Sequence, residues 1–271
     1  MEIKSRREEF ERQGYIFCKD FFSKDEIDNL WENIKLSDIE ENTFRWDQNR
    51  LQFHTHFLNR NHKIRDLIAQ SKVVDLLSQI VGANIWVRFD QAISKDPGAS
   101  MMPWHQDNGY TRLKHTYYQV WIPLTKMTLE NGGLLVQSDN YSANQKILPH
   151  KYVDGFFVCE KPPNKSLFIE AKPGDIAIFS SLLLHCTTPN TSNESRWSYV
   201  VECLPLNCFD PLVEPPYFVM ARDGKPYSKF VRFFPQRLNP INVLKYGWFK
   251  LKNVWYCWLR PVVRHILKIQ S

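Results

Sequence analysis

The chain has 271 residues, with 35 Lys and Arg, 29 Asp and Glu and a 43% apolar share, enough for one large core or two small ones. That composition excludes a disordered or collagen-like polypeptide, and no uninterrupted apolar run reaches the roughly 18 residues of a membrane span. The net charge of +6 is uneven: from Arg222 to Ser271 there are eleven basic residues and one acidic residue, so the rest of the chain is mildly acidic.

The opening residues, Met1 to Glu9, are charged and lack an apolar core, so no secretory signal is expected. Ser23-Lys-Asp-Glu26 is a capping box, in which each of the two side chains satisfies a free backbone N–H. Ile27, Leu30, Trp31 and Ile34 follow at helical spacing and give one apolar face. A second helix is expected from Ser71 to Val81, stopping at Gly82. From Asn84 onward the texture changes. Ile85–Phe89, Thr116–Leu124 and Gly133–Val136 are β-rich runs between turn signals. Ser166–Glu170, the turn Lys172-Pro-Gly-Asp175, and Ile176–Phe179 read as strand, turn and strand, and Arg196–Leu204 as another strand. Many short strands without intervening helices predict a mainly β fold with flanking helices, an antiparallel double sheet or barrel. No repeat or low-complexity linker divides the chain. One domain is expected over 1–210, with a basic, aromatic-rich extension over 211–271 packed on it. The six cysteines form no Cys-x-x-Cys pair, which argues against structural zinc and for reduced thiols in a cytoplasmic protein.

His105-Gln-Asp107 is the candidate metal motif. A His-x-acid pair arises about once by chance at this composition, so its weight comes from its surroundings. Two residues apart on an extended segment, both side chains reach one point. His185 closes the run Ile176–His185 and offers a second imidazole. Two His and one carboxylate form the ligand set of non-haem Fe(II) oxygenases, with positions left open for cosubstrate and O₂. Eleven residues later, Arg196 opens a strand. Its planar fork suits a dicarboxylate that chelates iron at its other end, as 2-oxoglutarate does. Taken singly, His185 reads as a core histidine and Arg196 as a surface charge; their spacing favours the site. His54-Thr-His56 shares the strand geometry but lacks a carboxylate partner. His115 and His150 read as loop residues, and Cys186 as a packing thiol.

Pro103-Trp-His105-Gln-Asp107-Asn-Gly-Tyr110 resembles the metal-binding segment of the phytanoyl-CoA hydroxylase (PhyH) family of Fe(II)/2-oxoglutarate-dependent dioxygenases. His185-Cys-Thr187-Thr-Pro-Asn190-Thr-Ser192-Asn-Glu-Ser-Arg196 resembles that family's distal motif. Trp121–Thr125, Glu130-Asn131-Gly132 and the opening Glu9–Ile16 are similar to further segments, so the resemblance spans about residues 7 to 206. It implies a double-stranded β-helix (jelly roll, cupin-like), Fe(II) on His105, Asp107 and His185, and 2-oxoglutarate on Arg196. It also implies that Thr187 helps hold the cosubstrate carboxylate, and that Trp121 and Gln91 lie beside the cosubstrate. The expected activity is hydroxylation of a small-molecule or lipid-linked substrate, with O₂ consumed and 2-oxoglutarate decarboxylated to succinate and CO₂. Related halogenases lack the carboxylate ligand; Asp107 disfavours that chemistry. Asn108 and Tyr110 are expected to line the substrate pocket. Where relatives carry Pro-Gly-Ser-His, this chain has Gln137-Ser-Asp-Asn-Tyr141, so substrate identity does not carry over. The alternative is a non-catalytic jelly-roll binding protein that docks through its tail.

In that tail, Leu251, Val254, Trp255, Trp258, Leu259, Val262 and Ile266 fall at helical spacing among Lys and Arg. Such a segment, over 245–268, either makes peripheral contact with an anionic membrane surface or packs on the barrel. No nucleic-acid-binding motif accompanies the basic residues, so no nucleic-acid partner is expected.

Overall fold

The computed structural model describes residues 3–37 and 39–232; the amphipathic tail segment lies outside the described residues. Six α-helices are described, α1 (Ile3–Gln13), α2 (Lys24–Leu36), α3 (Phe57–Arg60), α4 (His62–Ile68), α5 (Ser71–Ser78) and α6 (Asp107–Thr111), with a short 3-10 helix at Ile39–Asn42. The capping box at α2 is present in full, with Ser23 accepting from the Glu26 N–H and Glu26 accepting from the Ser23 N–H. The α5 helix is shorter than its sequence pattern. Ile80 and Val81 both turn their N–H onto the Leu77 carbonyl, which tightens the last turn before Gly82 adopts a φ of +115°.

The first strands are β1 (Tyr15–Cys18), β2 (Thr43–Trp46), β3 (Leu51–Thr55), β4 (Ile85–Lys95) and β5 (Met102–His105). Next come β6 (Tyr118–Pro123), β7 (Leu134–Gln137), β8 (His150–Val153), β9 (Phe156–Cys159) and β10 (Ser166–Phe168). The last are β11 (Ile176–Ser180), β12 (His185–Thr187), β13 (Arg196–Pro205), β14 (Tyr217–Arg222) and β15 (Lys225–Val231). The larger sheet runs β1-β11-β6-β13-β4-β14-β15, with the β2–β3 hairpin joined to β4. The smaller sheet runs β10-β7-β12-β5, and β8 and β9 pair as a separate ribbon. The strand pairings described are antiparallel. This is the expected jelly roll. Residues 211–232 place β14 and β15 on the larger sheet itself.

The two faces of the larger sheet explain its sequence. Val120, Ile122, Ile176, Ile178, Tyr199 and Val201 point outward into one core with Ile27, Leu30 and Ile34 of α2 and the apolar face of α5. The intervening Trp121, Ala177, Phe179 and Val200 point inward into a second core with Leu134 and Val136. Both faces are covered, so these strands read as continuous apolar runs. Full burial of each such side chain contributes roughly 1.5–3 kcal/mol. The pairing of β13 with β4 shifts register between Glu202 and Cys203, whose partners are Phe89 and Val87. Arg88 is the extra residue of this bulge, and it lines the same cavity as Phe89.

Candidate metal centre

His105 ends β5 and His185 begins β12, and the two are direct cross-strand partners. Their rings lie side by side with centroids 4.2 Å apart. Gln106 is extended (φ −111°, ψ 132°), so Asp107 faces the same way as His105. The segment does not stay extended, as its pattern suggests: Asp107 already opens α6. Asn108 ties down the far end of that turn. Its side chain accepts from the Leu113 N–H (2.8 Å) and the Thr111 hydroxyl (3.0 Å) and donates to the Leu113 carbonyl. Asn108 is therefore buried and lines neither cavity of the site, unlike its sequence-based assignment to the substrate pocket.

Asp107 Oδ1 stands 3.5 Å from His105 Nε2 and 3.6 Å from His185 Nε2, and one donor atom from each residue lies within 4.8 Å of the others. Each imidazole donates its Nδ1–H to a backbone carbonyl, Pro103 for His105 (2.7 Å) and Leu183 for His185 (3.1 Å). That bond leaves each Nε2 as a lone pair aimed at the common point. Burial pulls His185 down to about 4, so it is neutral. Burial alone would raise Asp107, but the two imidazoles and the Gln119 amide hold it below the ordinary carboxylate range. Gln119 Nε2 donates to Asp107 Oδ2 (2.9 Å). Two imidazoles and a carboxylate, held by outer hydrogen bonds, fit a ferrous ion.

Behind this point lies a small cavity of about 70 Å³, lined by Gln91, Trp121, Thr187 and Arg196 as well as the three donors. Arg196 is buried, donates to the Gly132 carbonyl (2.6 Å) and Ser198 Oγ (3.3 Å), and is pulled down to about 10 by burial. Its Nε and the Gln119 Oε1 have no hydrogen-bond partner among the described residues, so both await one in the cavity. Lys95, fully buried, donates to Thr187 Oγ1 (2.9 Å) and to the Thr188 carbonyl. Sequence reading passed over Lys95 and Gln119. For Lys95 a signal existed: it sits four residues after Gln91 on the same strand, hence on the same face.

Above Asp107 the small cavity opens into a basin of about 320 Å³ that Tyr110 lines. The Tyr110 ring stands edge-on to His105 at 5.7 Å, and its hydroxyl accepts from the Phe157 N–H. His54 is a core residue stacked on Trp197, and His56 stands edge-on to Phe89. Among the described residues, the His105, Asp107 and His185 group alone gathers three such donors.

An antiparallel jelly roll with two histidines and one carboxylate at a point between its sheets defines the class: non-haem iron oxygenases of the cupin-like kind. Residues 10–198 match the family model described as phytanoyl-CoA dioxygenase (PhyH). The chain belongs to the PhyH family of Fe(II)/2-oxoglutarate-dependent dioxygenases. A probable alpha-ketoglutarate-dependent hypophosphite dioxygenase of Stutzerimonas stutzeri is 22% identical over 215 residues, 70% of this chain and 74% of that one. A 2-aminoethylphosphonate dioxygenase from an uncultured bacterium is 26% identical over 144 residues, 52% of this chain and 53% of that one. The crystal structure of the epimerase SnoN, in complex with Fe3+, alpha ketoglutarate and a nogalamycin compound, superposes with a TM-score of 0.66 at 14% identity. That match covers 84% of this chain and 97% of the other, a likeness of fold. Among the described residues, no helix is long and apolar enough to cross a membrane.

Proposed function

We propose that the chain hydroxylates a small molecule, converting R–H, O₂ and 2-oxoglutarate to R–OH, succinate and CO₂. In this reading His105, Asp107 and His185 hold Fe(II), Arg196 and Thr187 take the distal carboxylate of 2-oxoglutarate, and Trp121 and Gln91 flank the cosubstrate. The ferrous ion, when bound, supplies the activation of O₂ that C–H oxidation requires. Everything else falls to the side chains. The two backbone-anchored imidazoles keep their Nε2 lone pairs toward the metal point. Gln119 fixes one oxygen of Asp107, leaving the other for the metal. Lys95 donates to the Thr187 oxygen, so the hydroxyl proton is free to point at a carboxylate in the cavity. The apolar walls of Trp121, Phe179 and Val200 keep water out. In the same reading, residues 1–210 carry catalysis and 211–271 are an extension. The protein works in a reducing cytoplasm, its five described cysteines being free thiols.

The observation that carries this reading is one carboxylate oxygen 3.5 Å and 3.6 Å from two Nε2 atoms, with a buried Arg196 behind them that has no carboxylate partner among the described residues. A non-catalytic binder has no need to keep that complete set. The test is anaerobic addition of Fe(II) and 2-oxoglutarate, with a weak visible charge-transfer band expected. Asp107→Ala should remove the band while far-ultraviolet circular dichroism stays unchanged. A folded, iron-loaded wild-type protein without the band would refute the assignment.

A further inference from the structure

The basin above Asp107 is walled by aromatic rings: Phe44 and Trp46 of β2, Phe53 of β3, Phe89 of β4, Tyr110 of α6 and Phe156 of β9. The rings hold one another. Trp46 meets Phe53 at 5.2 Å and Phe156 at 6.3 Å between centroids. The β2–β3 hairpin and the β8–β9 turn meet at Gly155, where a Cβ would lie 2.8 Å from Trp46 Nε1. Glycine there lets the two hairpins form a roof over the site.

The charges in the basin are as informative as the rings. Among the described residues, Arg88 is its one cationic lining residue. Its Nη1 is spent on Glu202 and its Nε on Asp210 (2.6 Å). One guanidinium between two carboxylates has no charge left over for an anion, and Asp107 at the floor is committed to the proposed metal. Among the described residues, a phosphonate, a carboxylate or the phosphates of a coenzyme A thioester would find no free side-chain cation lining the basin. What the walls offer is ring-on-ring contact. The polar handle is the Gln91 amide, which lines both cavities and carries no hydrogen bond among the described residues.

We propose that the basin binds an uncharged, ring-bearing small molecule that presents a hydroxyl or carbonyl to Gln91 and a C–H edge toward the metal point. This names the substrate class of the proposed hydroxylation and rests on that reading. It sets the chain apart from the relatives named for hypophosphite and 2-aminoethylphosphonate.

The test is calorimetric titration of the Co(II)-loaded full chain with 2-naphthol and flavone as neutral ring probes. Hypophosphite, 2-aminoethylphosphonate and palmitoyl-CoA serve as anionic probes. At least one ring probe should bind, and its affinity should fall about tenfold in both Trp46→Ala and Phe156→Ala, the loss of one aromatic contact. Two variants on separate hairpins guard against misfolding of either one. The proposal is overturned if neither ring probe binds, if an anionic probe binds more tightly, or if both variants bind like wild type. 2-Oxoglutarate is titrated in parallel. Its failure to bind would refute the oxygenase reading, while the ring probes would still decide what the basin holds.

Discussion

Lys95 and Arg196 are cross-strand partners on β4 and β13, and neither has an ion pair with a carboxylate among the described residues. Two cations buried side by side oppose each other, a cost tolerated where an anion is to be bound. Lys95 is pulled down to about 7, first by burial and then by Arg196, against weaker opposing effects of Cys186 and Asp47. An unfolded lysine titrates near about 10.4. Between those values the unfolded chain binds the extra proton, so stability rises with pH, by at most about 1.4 kcal/mol per pH unit. Metal- and cosubstrate-free protein should therefore gain stability from pH 7 to 9 in urea titrations followed by tryptophan fluorescence, and Lys95→Met should lack that slope. Equal slopes in the two proteins would contradict the buried-cation account. The legibility of the site divides along the same line. His105, Asp107, His185 and Arg196 stand in two short motifs, so local spacing exposes them. Lys95 and Gln119 acquire their roles through partners about ninety and twelve positions away, which depend on strand register that no local pattern encodes.

At the scale of elements, apolar runs between turn signals exposed the strands that bury both faces. That reading missed β2, β3 and β8, where polar residues interrupt the apolar ones, and β9, whose run of four apolar residues is too short to stand out. The turn before β7 shows how one loop serves the site. Gly132 has a φ of +94°, its carbonyl accepts from Arg196, and a Cβ there would lie 2.5 Å from Lys95 Cδ. Gly132→Ala combines left-handed strain with displacement of the lysine stem and should cost about 2 kcal/mol. It should also weaken 2-oxoglutarate binding about tenfold, because the carbonyl that holds Arg196 tilts away. Gly224, with a φ of +71° and open space within 4 Å of where a Cβ would stand, is the control. Gly224→Ala should show the backbone cost alone and unchanged cosubstrate affinity by calorimetry. Loss of affinity in both variants would mean that the turn acts only through global stability.

At the scale of the whole molecule, the site joins two sheets. His105 and His185 come from the smaller sheet, while Gln119 and Arg196 come from the larger one. Between them stand a carboxylate and two imidazoles that converge on one point, and a guanidinium whose Nε has no partner among the described residues. An ion and a dianion that bind the native state and not the unfolded chain each shift its stability by mass action, about 2.7 kcal/mol apiece at a hundred times the dissociation constant. For a fold of this size that corresponds to a rise of about 5–10 °C in melting temperature. Fe(II) and 2-oxoglutarate, added without oxygen, should each contribute such a rise, and a chelator should reverse the metal's share. His185→Ala should show no metal-dependent rise, because one of the two imidazoles facing Asp107 is gone. Arg196→Lys should keep the increment due to metal and lose most of that due to 2-oxoglutarate, because an ammonium cannot reproduce the bidentate fork. An undiminished rise in His185→Ala would place the stabilising ion elsewhere on the molecule, and the two sheets would then owe nothing to a shared metal.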